Sequence, residues 1–539
     1  MTLLECFPRG HTPREGQKRI IGQMEEAIGS GYQTIILCAP TGIGKSHMAA
    51  TFAGYHSSSY VITAQKILQD QYSSDFGFLR VMKGKSNFPC LSLYDGAGRR
   101  YDGGPPARGM SCSGGICEWR EGKRRRTCRY KPKMSDFFTY ERGGHGFVLA
   151  PRNSCLYYAQ KYTAMLSPHS LHNYATYLYH MLGTASAPRR ECIVADEAHE
   201  IESQIASRLS CHITNERLQL TGSFLDDFLT DARSDICDAI GTLYLRCMDV
   251  MRQADRRDSS IPRGTEFANS LRVIHYEAAN NPENVILQRN GTGVVVRPVS
   301  VAHVARRVFD ADRRLFMSAT IHPEMFIHEM GLDGRDCRFI EVESSPFPPA
   351  NRRTQFVSAA RLGKRASAEE YAKVYRAAAS ILRRHRDEKG LILATSKSQC
   401  RDIMRYLDAQ DRKRIIVVHG DAGSRPSDLI RRHREERSPT VLLSPSLWHG
   451  IDLKGDLSRF QIILKAPYLS LNDDRIRARA QRDWQWYLYA STVKLLQGIG
   501  RSVRSPDDHA VTYLLDSAAR TLLDETRRYV PVPYRDVLY

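Results

Sequence analysis

At 539 residues the chain is too long for one core and predicts about three or four domains. Hydrophobic residues at 42% and charged residues at 25% are ordinary for a globular protein, and no window approaches the roughly 18 consecutive apolar residues of a membrane span. Lys and Arg total 78 against 59 Asp and Glu, a net charge of +19 that suits a polyanion such as nucleic acid, with an inert basic surface as the alternative.

Met1–Phe7 lacks a basic start followed by a long apolar core, so it does not read as a signal peptide. The expectation is a protein of the cytoplasm of a bacterial or phage-infected cell. An amphipathic helix is predicted from Arg14 to Ile28, with Ile20, Ile21, Met24 and Ile28 on one side. Arg14 and Gln17 precede the next strand, where an adenine-reading loop or a solvated surface fits them equally.

Thr34–Cys38 is an apolar, β-branched run that reads as a buried strand. It leads into Ala39-Pro40-Thr41-Gly42-Ile43-Gly44-Lys45-Ser46 and a helical stretch from His47 to Ala53. Strand, glycine loop and helix N-terminus make an anion site, with backbone N–H groups and the helix dipole aimed at phosphate oxygens. Thr41, Gly42 and Gly44 would line ATP phosphates, Lys45 would reach the β- and γ-phosphates, and Ser46 would hold Mg²⁺. Ala39 stands where the usual pattern opens with glycine, while Gly42 and Gly44 keep close backbone approach possible. The alternative is a chance glycine–lysine turn.

Tyr60–Thr63 followed by a helical stretch to Gln71 begins an α/β alternation and hence a parallel sheet. Residues 83–155 break it, being rich in Gly, Arg, Lys and Cys and poor in periodic apolar residues. Tyr94, Tyr101, Trp119 and Tyr130 are interleaved with the basic residues, among them Arg120, Lys123 and Arg129. Of thirteen cysteines, Cys90, Cys112, Cys117, Cys128 and Cys155 crowd into this segment. A segment without an apolar core needs a staple, and thiolates around a metal supply one; the alternative is a solvated loop with free cysteines.

Residues 161–191 are predicted helical, including Leu171–Leu178. A buried strand, Cys192–Ala195, ends in Asp196-Glu197-Ala198-His199. Behind a phosphate loop, Asp196 is assigned to Mg²⁺ and Glu197 to the base that deprotonates the attacking water. His199 would couple the site to another domain or serve structurally. From about 204 to 292 the apolar spacing is mainly helical, and Leu315–Thr320 returns to a strand and turn. The prolines of Ser345–Ala350 mark a linker. Beyond it, Gly390–Thr395, Ile415–His419, Thr440–Ser444, Phe460–Leu464 and Ala510–Leu515 read as strands, with helices such as Ala368–Arg384 between some of them. If Leu495–Arg504 is helical, Gln497, Arg501 and Arg504 share one face that meets the γ-phosphate across a cleft, an arginine acting as a finger.

The phosphate loop, Asp196–His199, Ser318-Ala319-Thr320 and Gln497–Arg504 occur in the order of superfamily 2 helicases. Lys83–Cys90 and Cys155–Tyr158 resemble the iron–sulfur branch that includes the DinG and XPD helicases, and Ser446–Asp456 is similar to that branch's motif V. The resemblance implies an α/β fold of two RecA-like motor domains, each a parallel sheet, with ATP between them, and an inserted iron–sulfur domain and helical arch. The implied division is 1–82, 161–203 and 293–344 for the first motor domain, 83–160 for the iron–sulfur domain, 204–292 for the arch and 351–539 for the second motor domain. It also implies 5′-to-3′ movement on single-stranded DNA, unwinding of forked DNA, no membrane partner, and a nucleotide role for Gly450 and Asp452. Cys90, Cys112, Cys117 and Cys155 would hold a [4Fe–4S] cluster, with Cys128 as an alternative ligand and zinc as the rival metal. Thr63 and Gln65 lie where the family touches the sugar–phosphate backbone. A translocase that does not separate strands, or a nucleic-acid-binding module with an idle ATPase, are the rival functions.

Overall fold

The computed structural model describes the whole chain except residues 116, 122–123, 143–144, 184–186, 254–260, 420–424, 449–452, 504, 506 and 539. Gly450, Asp452 and Arg504 therefore lie outside the described residues.

Two parallel sheets organise the chain. The first has seven strands in the order Cys337–Glu341, Thr34–Cys38, Arg313–Ser318, Cys192–Asp196, Ser59–Thr63, His169–Asn173, Arg80–Met82. Thr34–Cys38, Ser59–Thr63 and Cys192–Asp196 are buried at every position, as strands covered on both faces must be. One face packs Ile20, Met24, Phe52 and Leu315, the other Tyr177, Ile201, Val304 and Phe316. The second sheet has six strands in the order Arg352–Ala360, Ala510–Asp516, Phe460–Ile463, Gly390–Leu393, Val441–Ser444, Ile415–Val417, again all parallel. Its faces carry separate cores around Trp448 and Leu496 and around Val374 and Leu443.

Both insertions leave the first sheet where its hydrogen bonding is not interrupted. One follows the edge strand Arg80–Met82 and contains two antiparallel hairpins, Glu118–Glu121 with Arg124–Thr127 and Phe138–Arg142 with His145–Leu149. The other follows the helix Ile201–Leu209 and packs Leu225–Ser234, Ile236–Gln253 and Ile261–Asn280 around Ile240, Phe267 and Leu271.

Four elements depart from the sequence reading. His169–Asn173 is a strand and the helix starts only at Tyr174. Two of its polar residues find partners inside the sheet, Ser59 Oγ meeting His169 Nδ1 at 2.9 Å and His172 Nε2 meeting Ser170 Oγ at 3.1 Å. The second insertion also carries an antiparallel sheet, with Gly293–Pro298 between Cys211–Thr214 and Val285–Asn290, so it runs past residue 292. Arg352–Ala360 is an edge strand of half-exposed residues with no apolar run to announce it. The helix Trp484–Ile499 stops before Arg501, with Gly500 at its C-cap bonded back to the Leu496 carbonyl. A Cβ on Gly498 would strike the Trp448 ring, so that glycine is there for close packing.

Candidate nucleotide site and cysteine centre

The phosphate loop leaves Thr34–Cys38 and enters the helix Lys45–Tyr55. Gly42 and Gly44 have φ of 87° and 91°, which only glycine adopts at little cost. Added Cβ atoms would strike Phe347 of the linker at Gly42 and the Gln17 amide at Gly44. Arg14 and Gln17 thus belong to this loop: Gln17 is buried, and Arg14 donates to the Gly42 carbonyl at 3.1 Å. Lys45 Nζ folds onto the Ala39 carbonyl at 3.2 Å, a charge available for phosphate. Thr41 and Ser46 are half-buried on the same loop.

Asp196 ends the neighbouring buried strand and is held at both oxygens. Oδ1 accepts the Glu197 N–H and Oδ2 the Tyr72 hydroxyl, each at 2.9 Å. Burial, then Glu197, raises its carboxyl to about 6, against the opposing pull of Lys45. Glu197 sits at φ 53°, a left-handed position costly for a side chain and frequent at functional sites. His199 Nδ1 meets Ser318 Oγ at 2.9 Å and Glu197 Oε2 at 3.4 Å. Burial lowers its pKa, and Arg501 adds to that lowering.

The domain of the six-stranded sheet closes on this edge. Gln497 Nε2 donates across the cleft to Thr320 Oγ1 at 2.8 Å. Arg501 is buried, donates to the Trp448 carbonyl at 2.5 Å, and lies close enough to influence Glu200. Lys45, Asp196, Glu197, Gln497 and Arg501 thus line one interdomain edge. Sequence reasoning missed the deeper clasp, in which Glu202 bridges Arg475 and Arg479 and Trp486 Nε1 donates to Glu329 at 2.7 Å. It also missed a groove of about 1250 Å³ in the second motor domain, lined by Tyr371, Tyr375, Tyr468, Arg361, Lys364 and Arg405. Its lining comes from the helix Ala368–Arg384, the turn at Arg405 and loops such as that of Tyr468, a signal scattered over more than a hundred residues.

The five clustered cysteines lie in one region. Cys90, Cys112 and Cys155 are buried with Tyr157 and Tyr158, and Cys112 Sγ lies 3.8 Å from Cys155 Sγ. Hydrogen bonds from the Cys112 thiol draw the Cys155 and Cys90 thiols down, and the same bonds push Cys112 up. Cys117 and Cys128 flank the first hairpin, joined by a Cys128 N–H to Cys117 carbonyl bond of 3.1 Å. Among the described residues no three His, Cys, Asp or Glu side chains are set in metal-holding geometry. The soft sulfur donor set suits a thiolate-bound metal.

Residues 379–531 match the helicase C-terminal domain family. Over 134 residues the chain is 25% identical to the ATP-dependent DNA helicase YoaA of Escherichia coli, a match covering 23% of this chain and 21% of that protein. It is 21% identical to the probable ATP-dependent helicase MJ0942 of Methanocaldococcus jannaschii, over 93% of this chain and 91% of the relative. Among solved structures it superposes on an XPD helicase with a TM-score of 0.65 at 14% identity, covering 95% of this chain and 98% of that one. On Xpd4 of S. tokodaii the TM-score is 0.54 at 13% identity, over 96% and 99% of the two chains. The chain shares the fold of the XPD helicase structures. Its two parallel sheets are the paired RecA-like domains of that fold. The matched stretch spans only about a fifth of the YoaA relative. No helix among the described residues is long and apolar enough to cross a membrane.

Proposed function

We propose that the protein is an ATP-dependent DNA helicase that moves 5′ to 3′ on single-stranded DNA and parts forked duplex at its cysteine domain. The observation that carries this reading is the Gln497–Thr320 bond across the cleft, because it joins the edge bearing Lys45 and Asp196 to the edge bearing Arg501. A nucleotide bound there touches both motor domains, so hydrolysis changes how they close.

In this reading Thr41, Gly42, Gly44 and Lys45 would cradle the phosphates, and Ser46 and Asp196 would hold Mg²⁺, which would supply charge neutralisation on the phosphates. Glu197 orients the attacking water and takes its proton. Arg501, fixed by the Trp448 carbonyl, stabilises charge developing on the transferred phosphoryl group. Thr320, Ser318 and His199 run from Gln497 back to Glu197 and would report the state of the acid pair to the second domain. The strand would run over the tyrosine- and arginine-lined groove, where rings stack on bases and cations follow phosphates.

The cysteine domain would carry the [4Fe–4S] cluster through Cys90, Cys112, Cys155 and either Cys117 or Cys128, giving a rigid wedge to a segment without a large apolar core. Zinc is the second reading. The 3.8 Å between Cys112 and Cys155 sulfurs matches the edge of a tetrahedron with metal–sulfur bonds of about 2.3 Å.

ATP turnover with and without single-stranded DNA tests the motor. Turnover is expected to rise several-fold with DNA, and Lys45→Ala to lose about a hundred-fold or more. Substantial hydrolysis by Lys45→Ala overturns the phosphate-loop assignment. Turnover indifferent to single strands overturns the motor reading.

A further inference from the structure

Two tyrosines from different helices converge on Asp196 and grip different atoms. Tyr72, on the helix Lys66–Asp75, donates to side-chain Oδ2 at 2.9 Å. Tyr174, which opens the helix Tyr174–Gly183, donates to the Asp196 main-chain carbonyl at 2.8 Å. The Glu197 N–H takes Oδ1, so both carboxylate oxygens are oriented by the protein alone.

Tyr72 is 1% exposed and sits among Met48, Phe52, Phe76 and Val61 in an apolar cluster. A phenylalanine would fill that space without a polar group to satisfy, and a buried hydroxyl is costly unless bonded. The hydroxyl is therefore explained by its one carboxylate partner and not by packing. A hydrogen bond to an ionised acceptor is also among the stronger ones.

We propose that Tyr72 is a positioning residue for the metal-holding carboxylate: its hydroxyl keeps Asp196 in the single orientation that binds Mg²⁺. This rests on the ATPase reading above. Tyr72 touches neither nucleotide nor metal and acts only through Asp196. Tyr174 supplies the internal control, since its bond holds the backbone and leaves the carboxylate free to turn.

The test is a Mg²⁺ titration of ATP turnover at pH 8 for the wild-type full chain, Tyr72→Phe and Tyr174→Phe, with the rise in unfolding midpoint on adding Mg²⁺–ATP as a second readout. Tyr72→Phe is expected to need about five-fold more Mg²⁺ for half-maximal turnover, to recover most of its rate at saturation, and to show a smaller midpoint rise. Tyr174→Phe should stay within about two-fold of wild type in its Mg²⁺ requirement. A Tyr72→Phe Mg²⁺ requirement equal to wild type, or an equal shift in both variants, overturns the proposal. Absence of turnover in the wild type would overturn the ATPase reading itself, a separate outcome.

Discussion

Asp196 is where the chemistry of the site opposes the stability of the fold. Its carboxyl is raised to about 6, first by burial and then by Glu197, so the folded chain keeps its proton to a higher pH than the unfolded chain does. Ionising it costs stability, a cost absent below about pH 4, growing as the pH rises and complete above about pH 6. A shift of that size amounts to up to about 3 kcal/mol. Asp196→Asn should therefore unfold at a higher temperature than wild type at pH 8, with a narrower gap at pH 5 and no turnover at either pH. A lower midpoint for the variant at pH 8 would contradict the account. Wild-type turnover should also fall below about pH 6, and the fall should move to lower pH as Mg²⁺ competes with the proton. Lys45, Ser46, Asp196 and Glu197 stood out in the sequence as candidates because a phosphate site would need those types at the ends of apolar strands, and the fold sets Lys45 and Asp196 close enough to interact. Tyr72 was not legible, because its partner lies 124 residues away and the residue itself reads as core. Gln17 was ambiguous for the same reason: only the fold presses it against Gly44.

At the scale of elements, the helix Asp474–Arg482 is fastened to the first RecA-like domain by buried charge. Arg475 reaches Glu202 and also donates to the Pro298 carbonyl at 2.8 Å, while Arg479 stacks 3.9 Å from the Trp486 ring and contacts Glu202. The two carboxylates answer differently. Glu202 is lowered despite its burial because it faces both arginines, whereas Glu329, reached by Arg479 at 3.5 Å, is raised by burial to about 7. Removing one partner of such a pair strands charge in a dry place and costs about 3 kcal/mol. Arg475→Ala should lower the unfolding midpoint by several degrees and loosen the interdomain clasp; an unchanged midpoint would contradict the network's role.

The cysteine domain depends on a different fastening. Cys90→Ser should lose bound metal, read as iron content and visible absorbance, or as zinc content if that is the ion, and should lose unwinding while retaining some ATPase. Full metal content and full unwinding in that variant would remove the thiol from the centre. Strands made of Ile, Val and Leu runs were readable from sequence because both their faces are buried. His169–Asn173 was not, since its polar side chains find partners only after the sheet has formed, and Arg352–Ala360 was hidden by lying at an edge.

Across the whole molecule, the net charge of +19 and the tyrosine- and arginine-lined groove point the same way. Order of motifs along the chain made the architecture of two parallel-sheet domains legible, because the proposed nucleotide site would draw its parts from both. The groove was not legible, since Arg361, Tyr371, Arg405 and Tyr468 come together only through the sheet order. The measurement that bears most directly on the central claim is strand displacement from duplexes with a 5′ tail or a 3′ tail, with ATP and with Lys45→Ala alongside. The account predicts displacement from the 5′ tail alone, abolished in the variant; displacement from the 3′ tail, or none from either with ATP still consumed, would contradict it.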